Sequence, residues 1–143
     1  MKKKRGFTLL ELLVVISIIG ILMAMGAVAY SSAQKKGRNA RRIGDIKATQ
    51  NAFEQYFAKN GGTYNATETT MATDVGFVLP ADPKTGLTST YTYTSMTTDS
   101  YCVCIALECT SGTDCKDGNS TNGSCTFANT GTNRTHFCAK NLQ

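Results

Sequence analysis

The chain has 143 residues, six cysteines, no tryptophan and a formal net charge of +5. That length admits a membrane helix and one small folded head, and excludes a multidomain enzyme. The positive charge does not indicate nucleic-acid binding. Lys2, Lys3, Lys4 and Arg5 stand together at the amino end, and without these four the 15 basic residues fall to 11 against 10 acids, a net of +1.

The basic run ends at Gly6. Residues 7–30, FTLLELLVVISIIGILMAMGAVAY, then form an apolar stretch long enough to span a hydrocarbon core of about 30 Å as a helix. Its one charge is Glu11, and an acid inside an apolar span is costly unless it has a partner. No small-residue cleavage site follows the apolar run, as it would in an ordinary secretory signal. The junction of cleavage type lies before it, between Gly6 and Phe7. A cut there would leave the helix on the mature chain. It would also create an amine one helical turn from Glu11, on the same chain or on a neighbour.

The string KKRGFTLLELLVVISIIGIL resembles the class III signal of type IV prepilins and type II secretion pseudopilins. The features that carry the likeness are Gly before the cut, an aromatic after it and Glu at the fifth mature position. The resemblance implies that residues 1–6 are a leader removed by a prepilin peptidase, which then methylates Phe7. It makes residues 7–30 the transmembrane and assembly helix and Glu11 the assembly carboxylate. It implies an α+β type IV pilin fold, with a long amino-terminal helix packed on a small antiparallel sheet and a disulfide-rich tail. It further implies a filament of many copies, built by a pilus or secretion assembly platform from subunits held in the inner membrane with a cytoplasmic amino terminus. The filament is then an extracellular pilus or a periplasmic pseudopilus, and the protein is structural rather than an enzyme. A single-pass, membrane-anchored binding protein is the reading of another class, and it requires that no peptidase act at Gly6.

The second half of the helix, residues 31–60, is amphipathic: Ile43, Ile46, Phe53 and Phe57 recur on one face, interrupted by Gln50. Asn39, Asp45, Lys47, Thr49 and Glu54 fall off that face. Lys35, Lys36, Arg38, Arg41 and Arg42 form a second basic cluster beyond the span, and it competes with the leader in the positive-inside rule. A continuous helix from Phe7 to Lys59 would run roughly 80 Å, stopped by Asn60-Gly61-Gly62. The family's helix-interrupting proline is absent, since the prolines are Pro80 and Pro83; Gly26 and Gly37 are where a loosened segment would fall. Asp45, Ile46, Lys47, Ala52, Glu54, Tyr56, Asn60, Gly61 and Tyr64 stand where pilin helices repeat similar residues, and packing is their expected role.

Residues 61–143 are expected to form the head. A variable connection covers 63–80. A turn at Asp82-Pro83 to Gly86 leads into a strand carrying Tyr91, Tyr93 and Ser95, and this stretch resembles the turn and strand of the major pseudopilin. A second strand, YCVCIALE, alternates Tyr101, Val103, Ile105 and Leu107 toward the helix. THFCAK is a candidate last strand. The rest of the tail is too polar to bury much surface.

Cys102, Cys104, Cys109, Cys115, Cys125 and Cys138 all lie in the part expected outside the membrane. Six cysteines there read as a disulfide framework, and sequence alone allows 15 pairings. Cys102 and Cys104 share a strand face, so each is expected to bond elsewhere. A zinc site on C-x-C with Cys109 and Cys115 lacks the usual spacing, and no metal is assigned. Asp114, Asp117 and Asn119 are weak calcium candidates, because major pseudopilins hold calcium in a carboxy-terminal loop; a polar turn is the simpler reading, and no cofactor is required. His136 has no placed nucleophile beside it and is expected at a surface or sheet edge. Asn-x-Ser/Thr triplets at Asn65, Asn119, Asn122 and Asn133 are ordinary in so Asn- and Thr-rich a chain.

Overall fold

An α-helix, α1 (Leu9–Lys59), takes up more than a third of the chain in the computed structural model, which describes residues 6–109, 118–120, 123–125 and 134–143. The helix runs through Gly20, Gly26, Gly37 and Gly44 without a break. It stops where expected. Gly61 and Gly62 take φ of +69° and +82°, and the Gly62 N–H donates to the Phe57 carbonyl at 2.9 Å. That bond closes the last turn, and left-handed backbone of this kind favours glycine.

The chain forms two compact units, Met1–Gln34 and Lys35–Gln143. In the first, the apolar side chains of α1 that are described are exposed, and the stretch is long and apolar enough to cross a membrane. The one polar group in mid-run is closed within the helix: the Ser17 hydroxyl donates to the Leu13 carbonyl at 2.8 Å.

In the second unit the rest of α1 lies on a three-stranded antiparallel sheet. Its strands are β1 (Thr92–Thr94), β2 (Cys102–Ala106) and β3 (His136–Lys140), in the order β1-β2-β3. Thr92 pairs with Cys104 on one side of β2, and Cys104 with Cys138 on the other. The β1–β2 turn closes with the Thr97 N–H donating to the Ser100 carbonyl at 2.9 Å. The fold is therefore α+β: long helix, small sheet, disulfide-tethered tail.

Ile46, Phe53 and Tyr56 of α1 share a core with Tyr64, Tyr101, Val103 and Ile105. The Phe53 and Tyr64 rings meet the Tyr101 ring near edge-on, with centroids 5.1 and 5.0 Å away; such pairs add about 0.5–1.5 kcal/mol each beyond area burial. The helix face is broader and more polar than its apolar spacing implies. Thr49, expected off the face, is fully buried and donates its hydroxyl to the Asp45 carbonyl. Asp45 accepts the Tyr91 hydroxyl, and Glu54 accepts those of Tyr64 and Tyr101. Gln50 donates to the Lys140 carbonyl at the end of β3. Polar residues at these positions are part of the packed face because each meets a specific partner on it.

The connection after α1 holds a helix the composition does not announce, α2 (Glu68–Asp74). Four of its seven residues are Thr or Asp, weak helix formers. Met71 and Ala72, buried in the head, hold it in place, and Asp74 at its end pairs with Lys59 at 3.0 Å.

Candidate functional site

The amino-terminal junction is built from Gly6, Phe7, Thr8 and Glu11. Phe7 is 87% exposed, one residue ahead of the cap. Thr8 caps α1. Its N–H donates to Glu11 Oε2 at 2.8 Å, its hydroxyl donates to the same oxygen at 2.9 Å, and the Glu11 N–H returns to Thr8 Oγ1 at 3.3 Å. This is a reciprocal capping box, which satisfies two otherwise orphaned backbone donors. Glu11, for which the sequence points to the amine freed by processing, already has a partner within its own chain. The pattern Thr8-x-x-Glu11 ahead of an apolar run is the signal that announces it. A Cβ added at Gly6 meets nothing within 4 Å, so the fold itself places no steric demand for glycine there.

A second polar constellation lies in the head, and sequence reasoning missed it. Arg42 is buried, and its Nε donates to Asp82, which is also buried. Arg38 holds Glu108 through two bonds of 2.7 Å, a bidentate pair. Arg42 reaches Glu108 at 3.2 Å and Lys84 reaches it at 3.8 Å. Asn39, expected off the apolar face, accepts the Glu108 N–H at 2.8 Å. Asp82 also receives the N–H and hydroxyl of Thr85, both at 3.1 Å, which fixes the Asp82–Gly86 turn. The bond from Arg42 holds the Asp82 carboxyl below its ordinary value against burial, helped by Thr85. Arg38 does the same for Glu108. Two members of the juxtamembrane basic cluster are therefore matched by acids of the head. No short motif reports this, because Arg42 and Asp82 are 40 residues apart.

The hydroxyls on the core face behave as structural groups. Burial, reinforced by Glu54, pushes the phenols of Tyr64 and Tyr101 well above the ordinary value. Burial pushes Tyr93 up to about 12, and its hydroxyl finds no hydrogen-bond partner among the described residues.

Cys102 is bonded to Cys125 and Cys104 to Cys138. Cys109 is also disulfide-bonded, and Cys115 lies outside the described residues. Asp114, Asp117, Asn122 and Asn133 lie outside them as well. Asn119, the third calcium candidate, is turned toward β3. Its amide donates to the Cys138 carbonyl and its oxygen accepts the Cys138 N–H, each at 2.7 Å. His136 is the first residue of β3, half-buried, with Nδ1 2.9 Å from the Thr135 hydroxyl. Nothing among the described residues assembles a nucleophile with a base. What the arrangement offers is an apolar cylinder carrying a capped acid near its start and, as a separate unit, a covalently tied head.

Comparison with known proteins agrees with the amino-terminal reading. Residues 1–27 match the family model for the prokaryotic N-terminal methylation motif. The chain is 40% identical over 73 residues to Fimbrial protein Q of Moraxella bovis, covering 48% of this chain and 46% of that one. It is 40% identical over 58 residues to Type II secretion system core protein G of Escherichia coli (strain K12), covering 41% and 40%. It is 41% identical over 54 residues to the Type IV major alpha-pilin of Moraxella bovis, covering 38% and 34%. The chain thus spans less than half the length of these relatives. No solved structure matches it significantly.

Proposed function

We propose that this chain, which carries the amino-terminal signature shared by type IV pilins and type II secretion pseudopilins, is the structural subunit of a type IV pilus-like filament. The observation that carries the reading is the conjunction at the amino end: the methylation motif over residues 1–27, coinciding with an exposed apolar helix that carries one capped acid. Such a helix needs a solvent of its own kind, first lipid and then the apolar helices of other copies.

On this reading a prepilin peptidase cuts between Gly6 and Phe7, and Phe7 is methylated. The inner membrane holds the subunit with its amino end cytoplasmic until an assembly platform draws it into the filament. The protein is not an enzyme. The major pseudopilin of a type II secretion system is the second reading; the similarity to core protein G carries it, and the longer similarity to Fimbrial protein Q puts it second.

Mass measurement of the chain recovered from membranes tests the proposal. The expected product begins at methylated Phe7. Replacing Gly6 with isoleucine should leave the full-length precursor, since the fold makes no demand at Gly6 and only a peptidase would sense the change. Mature protein of normal mass from that variant would refute the assignment of the cut.

A further inference from the structure

The disulfides gather four sulfurs on one face of the sheet. Cys102 and Cys104 alternate onto the same side of β2. Cys138 faces Cys104 across the β2–β3 ladder, and the tail brings in Cys125. The Sγ atoms of Cys102 and Cys104 are not bonded to each other, yet stand 3.6 Å apart. Those of Cys102, Cys104 and Cys125 all lie within 4.8 Å of one another, and Cys138 is joined to Cys104. Cys102, Cys104 and Cys138 are buried. A tetrahedral thiolate site with metal–sulfur bonds of about 2.3 Å places its sulfurs about 3.8 Å apart. When the two S–S bonds are broken, each pair opens from bonded to non-bonded separation, toward that spacing. The sulfurs that meet are also not those the sequence order suggested: Cys109 is not in the cluster.

We propose that the reduced head is a binding site for a soft, closed-shell cation, zinc or copper(I), on Cys102, Cys104, Cys125 and Cys138, and that oxidation to the two disulfides expels it. Binding converts four thiols to thiolates and releases their protons. Oxidation withdraws four electrons from the four thiolates, forms the Cys102–Cys125 and Cys104–Cys138 bonds and frees the cation. The electrons pass to two equivalents of a disulfide oxidant, each taken with two protons to a dithiol. Soft thiolates select these cations over calcium or magnesium. The proposal concerns the head alone and does not depend on which filament the chain joins.

The test uses the full chain in detergent, reduced anaerobically with a phosphine that is then removed. Titration with cobalt(II) reports a zinc-type site by its colour. The reduced chain should take up one cobalt per molecule, show the visible bands of tetrahedral thiolate cobalt and exchange it for zinc, while the oxidised chain takes up none. Oxidised glutathione should release the metal and restore both bridges. Cys104→Ser should weaken binding at least tenfold, and Cys109→Ser combined with Cys115→Ser should leave it unchanged. Three results would overturn the proposal. One is a reduced chain that binds no metal. Another is binding indifferent to Cys104→Ser or dependent on Cys109 and Cys115. The third is metal uptake by a chain whose circular dichroism shows no restored sheet, which would mark binding to unfolded thiols.

Discussion

Glu11 is engaged within its own chain, and a second role is proposed for it in the filament. In the single chain its carboxylate is bound by the backbone N–H and hydroxyl of Thr8, which starts the helix and shields the charge. In a filament the proposed partner is the amine of Phe7 on a neighbouring copy, so assembly would exchange a neutral donor pair for a cation. Glu11→Ala removes the cap and the assembly contact together. The variant should still insert and be cut, because neither step needs a charge inside the span, but it should not enter filaments efficiently. Membrane fractionation followed by shearing separates these outcomes, and normal filaments from processed Glu11→Ala protein would dismiss the carboxylate as the contact. At the other end of α1, Gly61 holds φ +69° with open space around it. Gly61→Ala should therefore cost only the left-handed backbone penalty, about 1–2 kcal/mol, read as a fall in the denaturant midpoint with unchanged slope.

For α1 as an element, the decisive contact is its grip on the Asp82–Gly86 turn and on Glu108 after β2. Arg42 and Asp82 are both buried, and removing the Asp82 charge leaves Arg42 with Glu108, 3.2 Å away, as its one remaining ion-pair partner among the described residues. Asp82→Asn should destabilise the head by about 1.5–3 kcal/mol, the scale of a lost hydrogen bond to a charged group, measured by thermal unfolding. The carboxyls of Asp82 and Glu108 are both held below their ordinary values, so both bind protons more readily once unfolded. Their contribution is present in full above the unfolded values of about 3.9 and 4.3 and is lost as pH falls through the lower folded values. Melting temperature should be level near neutrality and drop below about pH 4. The drop should be shallower in Asp82→Asn. An equally steep drop in that variant would place the acid sensitivity elsewhere.

The head as a whole is small, and covalent bonds stand in for core. β2 is covered on one face by α1, and Cys102 and Cys104 on its other face are bridged to Cys125 and Cys138, 23 and 34 residues on. Closing loops of this size stabilises by about 3–4 kcal/mol each if the effect is mainly on the unfolded chain. Peptide mapping of protein isolated without reductant should recover Cys102–Cys125 and Cys104–Cys138. Replacing Cys104 and Cys138 together by serine should lower the unfolding free energy by about 3–4 kcal/mol, read as a lower denaturant midpoint. A wild-type midpoint would show that β2 and β3 stay paired without the bridge.

The sequence alone determined what depends on near neighbours along the chain. The apolar run, the stop at Asn60-Gly61-Gly62, the alternation of β2 and the amino-terminal signature are each written within a few residues, because hydrophobic periodicity and left-handed glycine act locally. The Thr8–Glu11 cap is equally local in the Thr-x-x-Glu spacing, but the sequence reading pairs Glu11 only with the amine of Phe7, and the structure supplied the cap. The tertiary structure decided what depends on partners far apart in sequence. It chose two bridges from pairings the sequence left open, since strand register rather than spacing puts Cys104 opposite Cys138. It turned Arg42 and Asp82 from a basic cluster and a turn residue into one buried pair. It made α2 a helix despite its threonines, because burial of Met71 outweighs local propensity. In each case the energy comes from desolvation and contact between distant segments, which exist only once the chain has folded.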